Sequence, residues 1–199
     1  KYSVGMVRNA EIAAKLFPDW ECWIHFTRHG AFGPTEPFLA LDKMPNVRFV
    51  PMHMGTDGGF AADNWKGMFW RFEPAALNSV EVMISRDCDS RLGEREKAAV
   101  DEWLASDRGF HIMRDHPWHG SQILGGMWGV KHGVLPDMIQ LMRGWKQEDR
   151  WQTDQDFLNT VIYPRVVDNA MIHAQFFRIE PHAIPFPKSR SGLEFVGQV

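Results

Sequence analysis

Short apolar segments alternate with helical segments along most of the chain, and this alternation limits the fold more than any other feature. Six segments predict strands, and they lie at residues 2–7, 22–26, 47–50, 80–84, 110–113 and 170–173. Predicted helices cover residues 10–17, with Asn9 as N-cap, and 38–42, 65–72, 94–105, 137–145 and 154–162. Strands that alternate with helices are typical of α/β folds with a largely parallel sheet. The sequence therefore predicts a layered α/β domain.

Length, charge and composition argue against a nucleic-acid-binding, a disulfide-rich or a membrane-spanning protein. The chain has 199 residues and a formal net charge of −3, which suits one domain with its own core and gives no basic field for nucleic acid. Its two cysteines, Cys22 and Cys88, form no disulfide framework and favour a reducing compartment. No apolar run approaches the ~20 residues of a membrane-spanning helix. We expect one monomeric cytoplasmic domain over residues 1–199, either whole or part of a longer polypeptide, that neither spans a membrane nor binds nucleic acid.

The candidate chemistry follows the clearest predicted strand, at residues 80–84. Asp87 and Asp89 come just after it, on either side of Cys88. Two carboxylates at i and i+2 in an extended turn can point at one hard divalent cation, and open α/β sheets bind ligands at the carboxyl ends of their strands. The chain has no G-x-G-x-x-G or Walker loop to bind phosphate. A metal would supply the missing positive charge; the alternative is a solvated acidic turn.

Five short motifs occur in a definite order along the chain. They are GMFWRF at residues 67–72, ISRDCDSR at 84–91, FHIMRDHP at 110–117, GGMWG at 125–129 and DQDFL at 154–158. Their order resembles the GT-A group of nucleotide-sugar-dependent glycosyltransferases, including domains encoded by chlorella viruses and their bacterial relatives. The resemblance implies a GT-A fold, with a mixed, mostly parallel sheet flanked by helices. It also implies transfer of a hexose or deoxyhexose from a UDP-sugar to a glycan or glycoprotein acceptor.

The resemblance implies roles for individual residues in binding metal and donor. Asp87 and Asp89 would ligate Mn²⁺ or Mg²⁺ on the donor diphosphate, with His173 as the third ligand. UDP is favoured because most manganese-dependent enzymes with this motif use it. Eight residues would contact the donor: Val7, Arg8, Asn9, Arg71, Arg86, Gly125, Gly126 and Gln155. Lys188 and Arg190, on a late loop, could close over the diphosphate.

Three acidic residues are candidates for catalysis, namely Asp154, Asp156 and Asp115. Asp154 and Gln155 resemble a pair that lies across the donor sugar in several retaining families, which favours retention of configuration. A carboxylate there could stabilise a developing oxocarbenium ion or act as base on the acceptor hydroxyl. Asp156 could exchange roles with Asp154, and Asp115 could act on the acceptor side. The alternative for Asp154 is that it caps its helix.

Three other functions stay open at this point. A haloacid-dehalogenase-like phosphatase also carries two aspartates after a strand, but it needs a later paired-acid motif that this sequence lacks. A zinc hydrolase could use Asp115, His116 and His119, although Pro117 interrupts the two histidines. A non-catalytic carbohydrate-binding domain would depend on the nine tryptophans alone.

Overall fold

The computed structural model describes residues 2–27, 36–52, 65–146 and 150–199. In this part of the chain the fold is mixed α/β, with helices packed around two sheets. The α/β class expected from the sequence is therefore confirmed. None of the described helices is both long enough and apolar enough to cross a bilayer.

The described strands form two separate sheets. They are β1 (Cys22–Thr27), β2 (Val47–Met52), β3 (Val82–Arg86), β4 (Phe110–Arg114), β5 (Met127–Lys131) and β6 (Ala170–Ala174). β1 pairs with β2 in parallel, and the larger sheet has the order β3-β5-β4-β6. β4 is parallel to β6, whereas β5 is antiparallel to both β3 and β4. The larger sheet is thus mixed, and a mostly parallel sheet is not confirmed.

β5 lies in a glycine-rich region, residues 122–133, where the sequence predicted no strand. Four of its five residues are buried, so the strand lacks the alternation of apolar and polar residues that would reveal it. Gly129 is required because a Cβ there would lie 2.9 Å from the ring of Trp103. A glycine inside a strand often marks such a close approach.

The chain begins with a helix, α1 (Tyr2–Leu16), so the prediction of a strand at residues 2–7 was wrong. Ala10 and Ala13 of this helix are buried, and their three-residue spacing places them on one face. Asn9 lies inside the helix and is not its N-cap. A short apolar run fits a strand and a buried helix equally well, which explains the error.

The other predicted helices are present. They are α2 (Glu36–Asp42), a 3₁₀ helix (Trp65–Ala76), α3 (Glu94–Leu104), α4 (Met138–Gly144) and α5 (Thr153–Phe157). The last of them does not end at residue 162 as predicted: it continues through a π turn (Leu158–Ile162) into α6 (Tyr163–Val166) and a short 3₁₀ turn (Val167–Asn169). The 3₁₀ helix and α5 pack on one face of the larger sheet through aromatic rings. Phe69 lies 5.4 Å from Phe157, and Phe72 lies 5.4 Å from Trp128, measured between ring centroids. These rings form the centre of the main core.

The opposite face of the larger sheet carries a buried pair of histidines beneath α3. His111 Nε2 and His173 Nδ1 lie 2.8 Å apart, and His173 Nε2 lies 3.1 Å from a Glu102 carboxylate oxygen. Trp103 stacks on His111 at a centroid distance of 5.1 Å. Burial lowers the pKa of His111, and the charges of His173 and Arg86 lower it further. Burial also lowers the pKa of His173, against the opposing effect of Glu102.

This histidine pair should make the fold sensitive to acid. Both pKa values lie below the ordinary 6.5, so the unfolded chain binds more protons once the pH falls below about that value. The free energy of unfolding should therefore decrease as the pH falls through this range, by up to about 1.4 kcal/mol per pH unit for each histidine. Urea unfolding at pH 7.5, 6.5 and 5.5 measures this slope. The slope should become smaller in His111→Gln and stay unchanged in His132→Gln, where the histidine is exposed.

Candidate functional site

The acidic turn that follows β3 is held against α1. A Cβ on Gly5 would overlap the carbonyl oxygen of Cys88, so the helix backbone directly contacts the turn. Asn9 Nδ2 donates hydrogen bonds to the carbonyl oxygens of Ser90 at 2.6 Å and Cys88 at 3.3 Å. Ser90 Oγ in turn donates to the Asp87 carbonyl oxygen at 3.0 Å. These contacts fix the backbone from which the two carboxylates project.

Gly5→Ala should therefore disturb the turn. Alanine is favoured over glycine by about 1 kcal/mol inside an ordinary helix. Here the added methyl group would overlap the Cys88 carbonyl, and such overpacking typically costs about 1–3 kcal/mol. We expect urea unfolding to show a net loss of stability. Gly144→Ala in α4 is the matched control, since a Cβ there meets no atom within 4 Å. A gain in stability in Gly5→Ala equal to that in Gly144→Ala would contradict the close contact.

Arg71 joins two carboxylates that are distant in sequence. It lies in the 3₁₀ helix, where its Nη1 donates to Asp87 Oδ1 and its Nη2 donates to Asp154 Oδ2 at 2.6 Å. The Asp87 side chain is 49% exposed, whereas that of Asp154 is only 3% exposed. The Asp87–Arg71–Asp154 bridge therefore extends from the solvent-exposed surface into the interior. It places the Arg71 guanidinium between two carboxylates, beside the carboxyl end of β3.

Gly125 and Gly126 bring the main chain against this bridge. A Cβ on Gly125 would lie 2.5 Å from Arg71 Nη2 and 3.3 Å from Asp154 Oδ2. A Cβ on Gly126 would overlap Asp87 Oδ2. A Cβ at Gly125 would displace the Arg71 guanidinium, and one at Gly126 would press on both the carboxylate and the backbone nitrogen of Asp87.

Polar side chains hold this glycine pair in place. Ser85 Oγ donates to the Gly125 carbonyl at 2.7 Å, and the Gly125 N–H donates to Gln155 Oε1 at 3.0 Å. Arg86 donates to the Gly126 carbonyl. Arg71, Arg86, Asp87, Gly125, Gly126, Asp154 and Gln155, all predicted from the sequence, therefore lie in one constellation.

One solved structure with a similar fold is that of a glycosyltransferase involved in the glycosylation of the major capsid of PBCV-1. It matches with a TM-score of 0.50 and 13% sequence identity, over 87% of this chain and 77% of that chain. The chain has a glycosyltransferase-like fold. No family model matches the sequence, and a search of curated proteins also finds no match. At 13% identity the similarity establishes the fold, and the chemistry must be argued from the site itself.

Arg86 depends on an acidic partner that the sequence analysis did not identify. Its guanidinium forms an ion pair with Glu96 of α3, whose side chain is only 1% exposed. Burial raises the pKa of Glu96, an effect that the adjacent Arg86 partly offsets. A glutamate in the first turn of a helix is usually a surface residue, so nothing in the sequence marked this one as buried. Arg86 is thus bound to Glu96 and to the glycine pair.

The acidic turn offers oxygen ligands and no thiolate. Burial raises the pKa of the Cys88 thiol, and the charges of Asp89 and Asp87 raise it further. Mn²⁺ and Mg²⁺ prefer oxygen ligands, so the donor set that this turn could offer them is the pair of carboxylates of Asp87 and Asp89. Mg²⁺ and similar cations are often bound by one or two carboxylates together with substrate phosphates and water. The donor set therefore fits a divalent cation bound together with a diphosphate.

The structure does not bring His173 or Asp156 into this site. Both ring nitrogens of His173 are already engaged, one by His111 and the other by Glu102. The described residues contain no cluster of three acidic, histidine or cysteine side chains arranged to hold a metal. Asp156 pairs with Arg150 on a partly exposed surface. A third protein ligand from the late strand, as predicted, is therefore not supported.

Asp115, predicted to act on the acceptor, anchors the C-terminal segment in this structure. Its side chain is fully buried, and its Oδ2 accepts hydrogen bonds from Arg95 Nε and from the Val196 N–H, both at 2.9 Å. Its Oδ1 accepts from Arg95 Nη2 at 2.9 Å and from Arg190 Nη2 at 3.1 Å. Burial acts to raise the pKa of Asp115, but these hydrogen bonds lower it below its ordinary value. Arg190 is thus bound to Asp115, and Lys188 pairs with Glu94.

A cavity of about 600 Å³ lies between α1, β1 and β3, and the site forms one end of it. Asn9, Arg71 and Asp87 line that end. Val7 and Arg8 belong to α1 and not to a loop after a strand, so the reason for expecting them at the nucleobase no longer applies. Asn9 uses its amide to hold the acidic turn.

Proposed function

We propose that this chain is a metal-dependent glycosyltransferase that moves a hexose or deoxyhexose from a UDP-sugar to a glycan or glycoprotein acceptor. The observation that most supports this is the Asp87–Arg71–Asp154 bridge, packed against Gly125 and Gly126 beside the carboxyl end of β3. Ligands of α/β proteins bind at this edge of the sheet. The glycosyltransferase-like fold agrees with the proposal.

Asp87 and Asp89 would hold Mn²⁺ or Mg²⁺, which supplies Lewis acidity to the leaving diphosphate when it is bound. Arg71 has the chemistry to take part in donor binding as well. Its guanidinium presents several N–H groups in one plane and can bind two phosphate oxygens as readily as two carboxylates. Donor binding would thus move Arg71 from Asp87 to a phosphate and leave the Asp87 carboxylate to the cation.

Asp154 would act next to the sugar. Its buried carboxylate lies beside Gly125, where a sugar can approach the backbone closely. In the transfer, the bond between the anomeric carbon and the diphosphate oxygen breaks, and the acceptor oxygen bonds to that carbon. The negative charge of Asp154 would stabilise the positive charge that develops on the sugar. The proton of the acceptor hydroxyl passes to the departing diphosphate oxygen, and UDP leaves. Retention of configuration is the favoured outcome.

Calorimetry of UDP, GDP and CMP, each with and without Mn²⁺, tests the proposal directly. We expect UDP to bind with Mn²⁺ and to bind weakly or not at all without it, because Arg71 and Arg86 already pair with carboxylates and leave little positive charge for the diphosphate. GDP and CMP should bind more weakly than UDP. UDP binding that is equally strong after the metal is removed with EDTA would rule out the proposed metal site.

The alternative functions give different results in the same preparation. A haloacid-dehalogenase-like phosphatase should hydrolyse an aryl phosphate with Mg²⁺, and a carbohydrate-binding domain should bind oligosaccharides with no metal present. A zinc hydrolase would need Asp115, His116 and His119 as metal ligands. Both carboxylate oxygens of Asp115 already accept hydrogen bonds from Arg95, Arg190 and the Val196 N–H, and these bonds would have to break before zinc could bind.

A further inference from the structure

Two strand edges border the same cavity. Among the described strands, β1 pairs only with β2, and β3 pairs only with β5, so each has one edge without a strand partner. The cavity is lined by consecutive residues of both segments, 21–25 and 79–88. Successive residues of a strand point to opposite faces of a sheet, so lining by consecutive residues means that the backbone edges border the cavity. Backbone N–H and C=O groups at such an edge need partners.

Apolar side chains from several helices line the space between the two edges, together with polar groups such as Asn9, Arg71 and Glu96. α1 contributes Ala10 and Ala13 from one helical face, and Phe17, which follows the helix, lines the cavity together with Leu104 of α3. Pro74 of the 3₁₀ helix lines the cavity as well. Strands with layers of helix on both faces are found in the middle of sheets, where both faces of the strand are buried. The cavity therefore offers the surroundings of a central strand.

The direction of α1 defines how a strand would run in this space. Asn9, in the middle of α1, contacts the turn after the carboxyl end of β3. Phe17, just beyond its last turn, belongs to a buried cluster against which Val82, at the amino end of β3, packs. α1 therefore runs opposite to β3, and β1 begins where β3 begins. A strand that leads into α1 must end near the carboxyl end of β3, and so would be parallel to both neighbours, as in a strand–helix–strand unit.

We propose that the cavity between β1 and β3 is a slot for one additional β-strand, supplied by a polypeptide segment that leads directly into α1. This strand would join the two sheets into one continuous sheet. Its backbone would form hydrogen bonds with both edges, as in β-strand addition, while its side chains contacted α1 and α3 on one face and the 3₁₀ helix on the other. The inference is independent of the proposed reaction, since it depends only on the two edges and the direction of α1.

The test joins a strand-forming extension to the first residue of the chain. The extension has about six alternating valine and isoleucine residues and a loop of about three residues, which are the usual lengths of a strand and of a strand–helix connection. We expect the melting temperature to rise by about 5 °C or more. Hydrogen exchange should also slow at the amides of β1 and β3 that do not bond to β2 or β5. The control extension carries proline at alternate positions, because proline donates no hydrogen bond.

Each other outcome overturns the proposal. Unchanged exchange at these amides would show that the slot does not accept a strand. Equal protection by the proline extension would show that apolar contact alone is responsible. Protection of the same amides in the chain without the extension, together with a dimeric mass in solution, would assign the slot to a second copy. UDP binding is measured separately in each sample, so loss of the proposed donor site is distinguished from failure of the strand to bind.

Discussion

Asp89→Ala is expected to reduce the Mn²⁺-dependent affinity for UDP by more than about 100-fold. Loss of an outer partner of a metal ligand typically costs 10–100-fold, and loss of a direct ligand should cost more. Transferase activity with a UDP-sugar should fall at least as far. Calorimetry with UDP and Mn²⁺, at matched protein concentration and checked by circular dichroism, measures the effect.

Asp107→Ala is the matched control, because it removes one carboxylate from a side chain that is 96% exposed. Its affinity for UDP should equal that of the parent chain. Asp87→Ala gives a second test, since it removes the other carboxylate and also frees Arg71. We expect Asp87→Ala to weaken the metal-dependent binding of UDP. Binding of UDP without metal should become stronger, because Arg71 is then free to pair with the diphosphate. If Asp89→Ala and Asp107→Ala bind UDP equally well in Mn²⁺, the cation is not held at the acidic turn.

Asp115→Ala is expected to destabilise the fold by about 3–5 kcal/mol, the usual cost of removing one partner from a buried ion pair. The Arg95 guanidinium, whose side chain is 11% exposed, would lose its carboxylate, and the Val196 N–H would lose its acceptor. Arg190 would lose the same partner. Urea unfolding gives the free energy. Limited proteolysis should show earlier cleavage within residues 181–199, because Asp115 anchors this segment.

The matched control for this variant is Asp101→Ala. Asp101 pairs with Lys97 on the exposed face of α3, and surface pairs contribute only about 0–1 kcal/mol. Stability should therefore change little. One outcome for Asp115→Ala would contradict the anchoring role. If this variant unfolds like the parent chain but loses transferase activity, Asp115 acts in the reaction and is again a candidate catalytic residue.

Much of the candidate site could be predicted because its residues follow local patterns. The apolar pattern at residues 80–84 predicts a strand, which the structure places at residues 82–86, so the turn with Asp87 and Asp89 could be placed near its carboxyl end. Gly125 and Gly126 are conspicuous as a pair. The contacts of Arg71 with Asp87 and Asp154 could not be predicted from local sequence, because these residues lie up to 83 positions apart and meet only through tertiary packing.

The errors in the predicted fold have a common physical cause. Residues 2–7 are apolar enough for a strand, but packing of α1 on the acidic turn makes them helical. β5 is buried on both faces, so no alternation of apolar and polar residues reveals it. The roles of Glu96 and Asp115 depend on arginines from other segments, and no spacing rule connects them. Long-range packing, rather than local propensity, decided each of these features.

The end of the described chain lies close to the acidic turn. The Arg91 N–H donates to the Gln198 carbonyl at 2.8 Å, so the last residues are tied to the segment that follows Asp89, while Val199 itself is exposed. Anything joined after Val199, whether a purification tag, a fluorophore or a second domain, would begin within a few residues of the donor end of the cavity. A fluorophore attached there should report nucleotide binding directly.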